Sequence, residues 1–365
     1  MEDGTHDLAR AVAGAQNLLR HCVELKTAQT LLLVEEDRQI DYFDNAVADI
    51  IAGQARELGA TVLRFATPRV DGPDAVPEAL TSAMTHVDHT VFLNRIGDQM
   101  RFRSLPGEGT KTMVYTLDVD TLASRAAGYD HRLMQRLVAL FNQALEDKTD
   151  WHITCPAGTD VSGQMPAPEP VSEVDGGFAV RLFPMSVHKP IPADTMVGKI
   201  VLQRWVTGTN THAYSPEVHF LDTPITVDVE KGHVVDLQGA APDVAAFRAH
   251  GRMVADKFGL DETLIHSWHH GLNPGTGYFA SAGQDPVRWN GMIFGSPRHL
   301  HFHTCGDYPP GEINWHILDP TVRFDGEVFL EAGQVAFFES AAASDLLRHY
   351  GLGAEDMATH QDIGV

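Results

Sequence analysis

The alternation of apolar and polar positions divides this chain into two halves that read differently. Leu8 to Lys26 sets Leu8, Val12, Leu18, Leu19, Cys22, Val23 and Leu25 at helix-like spacing. The apolar run Thr30-Leu-Leu-Leu-Val34 follows, of the kind that strands covered on both faces show. Tyr42 to Leu58 returns to the helical period through Phe43, Ala46, Val47, Ile50 and Ile51, and Gly59 stands where a helix commonly ends. Thr61 to Phe65, Thr90 to Leu93, Thr112 to Thr116 and Trp151 to Thr154 read as further strands, with helices at Pro77 to Met84 and His131 to Leu145. Strands alternating with helices predict an α/β N-terminal domain built on a parallel, doubly wound sheet.

From Pro156 to Gly177 the chain turns to Pro, Gly, Ser and acidic residues, including Met165-Pro-Ala-Pro-Glu-Pro-Val. That is the best junction in the chain, with the α/β domain over 1–165 and a second domain over 166–365. Past it, Phe178 to Phe183, Lys199 to Val206, Pro224 to Val229, His233 to Leu237 and Glu327 to Phe338 carry β-branched or aromatic residues bounded by turns such as Glu230-Lys-Gly232. One helix interrupts them, Pro242 to Phe258, with Val244, Phe247, Val254 and Phe258 on one face. The second domain is expected to be mixed, mainly antiparallel and β-rich.

The first strand runs into Glu35-Glu36-Asp37-Arg38 instead of a Gly-rich turn, so a dinucleotide phosphate has nothing to cradle it. The 365 residues give a formal net charge of -22, which argues against nucleic acid and anionic membrane surfaces as partners. Cys22, Cys155 and Cys305 lack CxxC spacing and fit a reducing, cytoplasmic setting better than a disulfide framework. The acidic Met1-Glu-Asp-Gly-Thr-His-Asp7 has no signal-peptide pattern, and no apolar stretch is long enough to span a bilayer.

The chemistry concentrates in one strip. Seven of the chain's 20 histidines (His266, His269, His270, His299, His301, His303 and His316) lie between Ile265 and Gly326, closed by Asp319. Even spreading would put roughly three there. Imidazole is the commonest protein metal ligand. Two histidines and one carboxylate with open coordination positions make the facial triad of non-haem Fe(II) oxygenases.

Several stretches line up with one family. The α/β half, then Phe183-Pro184, Thr223-Pro-Ile-Thr-Val-Asp-Val-Glu-Lys-Gly-His-Val-Val, Gly271-Leu-Asn-Pro274 and His316 to Gly326, resemble the thermophilic-type leucyl aminopeptidase (aminopeptidase T) superfamily over nearly the whole chain. The resemblance implies either a two-metal aminopeptidase or, in the 2,5-dihydroxypyridine 5,6-dioxygenase branch, a mononuclear Fe(II) enzyme that opens an N-heteroaromatic ring with dioxygen. The aminopeptidases carry a Glu shortly after Phe-Pro and another before Gly-x-Asn-Pro, where this chain reads Met185-Ser-Val-His188 and Ile265-His266-Ser267. Losing two anionic ligands disfavours a dinuclear site and points to the dioxygenase branch.

That branch implies Fe(II) held by His266, His316 and Asp319, with His188 as the acid/base that deprotonates a substrate hydroxyl. His301 or His303 then orients a ligand or the bound oxygen from the second shell, with at most one of the two facing the metal; His303 is taken with His188 as a catalytic residue. The family's closing His-x-Asp is here His316-Ile-Leu-Asp319, so a one-residue bulge, Asp307 or another histidine has to complete the site. His269 or His270 is open as a replacement for His266. After the Thr90 strand, Asn94-Arg-Ile-Gly-Asp98, Arg101 and Arg103 stand where the branch supplies a histidine. Trp268, Tyr278, Tyr308 and Trp315 offer walls for an aromatic ring. The expectation is an Fe(II)-dependent dioxygenase acting on a small hydroxylated N-heteroaromatic or related aromatic, assembled as a homo-oligomer. A metallo-aminopeptidase or other metal-dependent hydrolase is the alternative.

Overall fold

The computed structural model describes residues 4–40, 42–70, 72–101, 103–167, 180–209, 212–306 and 311–365. The apolar run near the N-terminus becomes the strand Thr30–Glu36, buried almost throughout, the second strand of a five-stranded sheet. It pairs in parallel with Thr61–Thr67 on one side and His89–Leu93 on the other; Thr110–Val114 and Arg181–Phe183 continue the parallel order. Several helices begin at a side-chain cap. The Asp44 carboxylate accepts from the Ala46 amide at the start of Asn45–Glu57, and Gly59 takes φ 82° just past its end, a conformation costly for any residue with a Cβ.

Two antiparallel sheets make the rest. One has seven strands and begins at its edge with His233–Gln238, then Ile225–Glu230 and Val197–Leu202, followed by Asp160–Gln164, Asp150–Thr154, Thr321–Phe324 and Glu327–Leu330. The other has six, in the order Val218–Phe220, Trp205–Thr207, Ile313–Leu318, His299–Thr304, Ile265–His270 and Ile191–Pro192. They pack face to face around a shared apolar layer, in which Trp268 meets Trp151 at 5.2 Å between ring centroids and stacks on Phe324 at 6.2 Å. The opposite face of the six-stranded sheet turns toward the α/β body. There the helix Pro286–Ile293 and Phe294 supply Trp289, Met292, Ile293 and Phe294 to the core of the parallel sheet.

The α/β and antiparallel halves are thus as the sequence pattern predicts, but sheet pairing does not stop at residue 165. Asp150–Thr154 belongs to the seven-stranded antiparallel sheet, between Asp160–Gln164 and Thr321–Phe324. Arg181–Phe183 goes back to pair with Thr110–Val114 in the parallel sheet. Local period identifies a strand and says nothing about its partner, which is why Trp151 to Thr154 reads as one more parallel strand. Lys199 to Val206 also divides, giving Val197–Leu202 and Trp205–Thr207 to different sheets across Arg204 at φ 68°. Most of the Pro/Gly-rich junction, 168–177, lies outside the described residues. No helix among the described residues is long and apolar enough to cross a membrane.

Candidate metal centre

Three neighbouring strands of the six-stranded sheet carry the histidine strip. Their register sets His269 opposite His301, His301 opposite His316, and His303 opposite both Ser267 and Asn314. Residues two apart on a strand share a face. His299, His301 and His303 therefore line up on one side with His269, Asn314 and His316, while Trp268, His270, Leu300, Phe302, Trp315 and Ile317 take the other. The expectation that at most one of His301 and His303 reaches the site is corrected here: with one residue between them they point the same way.

His269, His301 and His303 each bring a ligand atom to within 4.8 Å of the others, and they form the one such group of three or more His, Cys, Asp or Glu among the described residues. Nε2 of His269 stands 2.7 Å from Nε2 of His301. Two metal–nitrogen bonds of about 2 Å each suit donors about 3–4 Å apart, so small ring rotations let the trio close on a single ion. The other ring nitrogen is committed in His269 and in His303. Nδ1–H of His269 donates to the His188 carbonyl at 3.1 Å, and Nδ1–H of His303 donates to the Glu312 carboxylate at 2.6 Å. Both partners are acceptors, so the proton sits on Nδ1 and the lone pair is on Nε2, the form a metal needs. Nε2 of His303 is buried and has no partner among the described residues, as is Nδ1 of His301.

Burial sets the electrostatics. It holds His301 and His269 well below the ordinary 6.5, reinforced by their neighbouring histidines, so both rings are neutral near pH 7. Phe294 packs on His301 with ring centroids 4.4 Å apart. Glu312, 1% exposed, brings an acid beside the trio without being one of its three donors. From the α/β side comes the loop after the Leu93 strand. Arg101 donates to Asp98 at 2.8 Å, Asp98 also accepts from the Tyr115 hydroxyl at 2.7 Å, and burial raises the Asp98 carboxyl and lifts Tyr115 well above 10. The Arg101 charge is felt at both His269 and Glu312.

The ligand set expected from the sequence is not brought together. Nδ1 of His316 lies 2.9 Å from His299 Nε2 and its Nε2 lies 3.1 Å from the Thr207 hydroxyl, with burial lowering it to about 3. Asp319 follows the end of its strand at φ 49° and is gripped by Arg298 through two bonds of 2.5 and 2.9 Å. The extra residue after His316 thus swings the acid to a guanidinium instead of inward. His266 sits where the register slips between Ile265 and Ser267, its Nδ1 3.0 Å from the Ser267 hydroxyl. His269, one of the open alternatives, takes the place foreseen for His266.

His188 also differs from expectation. Its Nδ1–H donates to the Lys189 carbonyl at 2.7 Å and its Nε2 accepts the His270 amide at 3.2 Å, so neither nitrogen is available as a base. Burial holds it well below 6.5, and its ring packs on Phe141 and His270. Its contribution to the site is the carbonyl that orients His269. Trp268 and Trp315 face the apolar layer and Tyr278 is buried against the C-terminal segment, so none of the three walls the trio. Tyr308 and Asp307 lie outside the described residues. His303, foreseen as an orienting residue, is instead a member of the trio. Glu312 was missed; its only signal in sequence is position, at the start of the strand that pairs with His303.

Compared with known proteins, the sequence matches no family model and no curated protein. The fold has a known counterpart. It is similar to that of 2,5-dihydroxypyridine dioxygenase from Pseudomonas putida, with a TM-score of 0.58 at 14% identity over 91% of this chain and 98% of that one. At that identity the likeness to the dioxygenase is one of architecture, and it extends across both the α/β body and the antiparallel sheets. The aminopeptidase T resemblance has no matching family model behind it.

Proposed function

We propose that the chain is a mononuclear metal-dependent oxygenase, with Fe(II) held by His269, His301 and His303, acting on a small hydroxylated N-heteroaromatic or related aromatic. The observation that carries this reading is the trio itself: three buried imidazoles with donors within 4.8 Å, two of them turned metal-ready by the His188 carbonyl and Glu312. Three donors leave positions open, and nitrogen ligands suit iron better than Mg(II) or Ca(II). The likeness in fold to a dioxygenase supports the same choice. Bound there, the metal would supply the one-electron chemistry with dioxygen that protein side chains lack. The chain's own residues hold and orient it, keep the rings neutral through burial, and shut out bulk water with Phe294 packed on His301.

The two-metal aminopeptidase alternative calls for carboxylates that bridge two ions. The one acid bonded to the trio, Glu312, is engaged with His303 Nδ1, and no second group of donors occurs among the described residues. Elemental analysis after anaerobic loading, followed by oxygen uptake with a panel of hydroxypyridines, tests the proposal. One iron per chain and substrate-dependent uptake are expected. Two metals per chain with oxygen-independent cleavage of amino-acid amides would replace the oxygenase by the peptidase.

A further inference from the structure

The same polar face holds a second set of buried groups that the metal reading does not use. Gly208, just past the Trp205–Thr207 strand, accepts from two carboxamides through one backbone carbonyl, Asn290 Nδ2 at 3.1 Å and Asn314 Nδ2 at 3.4 Å. That carbonyl fixes how each amide is turned, because a flipped amide would set oxygen against oxygen. Each side chain is left with an oriented Oδ1, and neither oxygen has a partner among the described residues; nor does the Thr209 hydroxyl. Asn290 and Asn314 are 0% exposed and Thr209 is 2% exposed. Buried acceptors without donors are costly and rare, and two oriented by the same carbonyl each call for a donor.

Their position relates them to the trio. Asn314 stands directly opposite His303 in the strand register, where Cβ atoms of paired residues lie about 5 Å apart. Asn290 comes from the helix Pro286–Ile293, whose Trp289 packs on His299 and His316 of the same face.

We propose that Asn290, Asn314 and Thr209 are the specificity pocket of this centre, and that they select a substrate presenting a hydrogen-bond donor, a ring N–H of the lactam (pyridone) type or a ring hydroxyl. The proposal rests on the reading of the trio as the site of chemistry. Two fixed amide oxygens attract such a proton. They repel a carboxylate and have nothing to bind on an N-alkylated ring.

Calorimetric titration of the full chain, with and without Co(II), tests this with 2-pyridone, N-methyl-2-pyridone and benzoate as probes. 2-Pyridone is expected to bind at least about tenfold tighter than its N-methyl analogue, the worth of one buried hydrogen bond, and tighter than benzoate. Asn314→Leu and Asn290→Leu are each expected to bring that ratio toward one while the Co(II) stoichiometry and its visible spectrum stay unchanged. Equal binding of the two pyridones, no binding of 2-pyridone at millimolar concentration, or preference for benzoate overturns the pocket; none of these needs a variant that folds. Co(II) bound with a ratio of one sinks the pocket and leaves the metal centre standing. No Co(II) bound with the ratio intact does the reverse.

Discussion

The two faces of the six-stranded sheet come from the same strands, residue by residue in alternation, and they do opposite things. On one, Trp268, Leu300, Phe302, Trp315 and Ile317 interlock with the seven-stranded sheet. On the other, His269, His299, His301, His303, Asn314 and His316 are equally buried, yet His299, His301, His303 and Asn314 each keep a polar atom without a partner among the described residues. The apolar face stabilises the fold. The polar face costs stability, and a surface of that kind persists where it holds something.

The comparison breaks first at its largest difference. Trp268→Ala should lose about 3–5 kcal/mol, read as a lower denaturant midpoint, by opening a cavity between the sheets. His301→Ala should leave the midpoint of the metal-free chain within about 1 kcal/mol while weakening metal binding more than about 100-fold, beyond the loss of an outer partner. If both variants behave alike in either measurement, the two faces are not functionally distinct.

Acid comes next, and away from the sheet it can be read cleanly at His131 and His250. Burial lowers each to about 4 from 6.5. The native rings resist a proton that the unfolded chain accepts, so stability is whole above pH 6.5 and drains as pH falls toward 4. Each such histidine contributes up to about 1.4 kcal/mol per pH unit in that window. His250→Gln should flatten the dependence of unfolding free energy on pH by roughly that slope, and an unchanged slope would show the ring is solvated.

Glu312→Gln keeps the shape of the bond to His303 but removes the charge, and should weaken metal binding about 10–100-fold in competition with a chelator. The smallest effects belong to residues the sequence favoured. His266→Ala and Asp319→Asn should leave metal affinity unchanged, with Asp319→Asn costing no more than about 1 kcal/mol for its partly exposed pair with Arg298. Loss of the metal in either variant would restore the ligand set read from the sequence. Thr207→Val should cost about 1 kcal/mol through its contact with His316 and leave metal binding alone.

These outcomes also bear on what was legible beforehand. The parallel sheet was, because Leu31 to Val34 are apolar without interruption and Gly59 marks the stop of the helix that follows. The concentration of histidines in one strip is legible from composition. Which histidines share a face does not follow from composition, although His299-Leu-His301-Phe-His303 carries it in a period of two. Glu312 was beyond reach, since its role follows from a strand pairing that no local pattern specifies. Asp319 meets Arg298 because a single inserted residue redirects a side chain after a strand ends.

The Arg181–Phe183 strand, returning to the parallel sheet after the chain has already entered the antiparallel one, has a practical corollary for anyone cutting the gene. A fragment ending at 165 forfeits the outermost member of its own sheet and carries away two strands that its sister fragment needs to bridge Val197–Leu202 and Thr321–Phe324. Neither piece keeps its sheets whole, so the halves are expected to regain native signal only when both are present together.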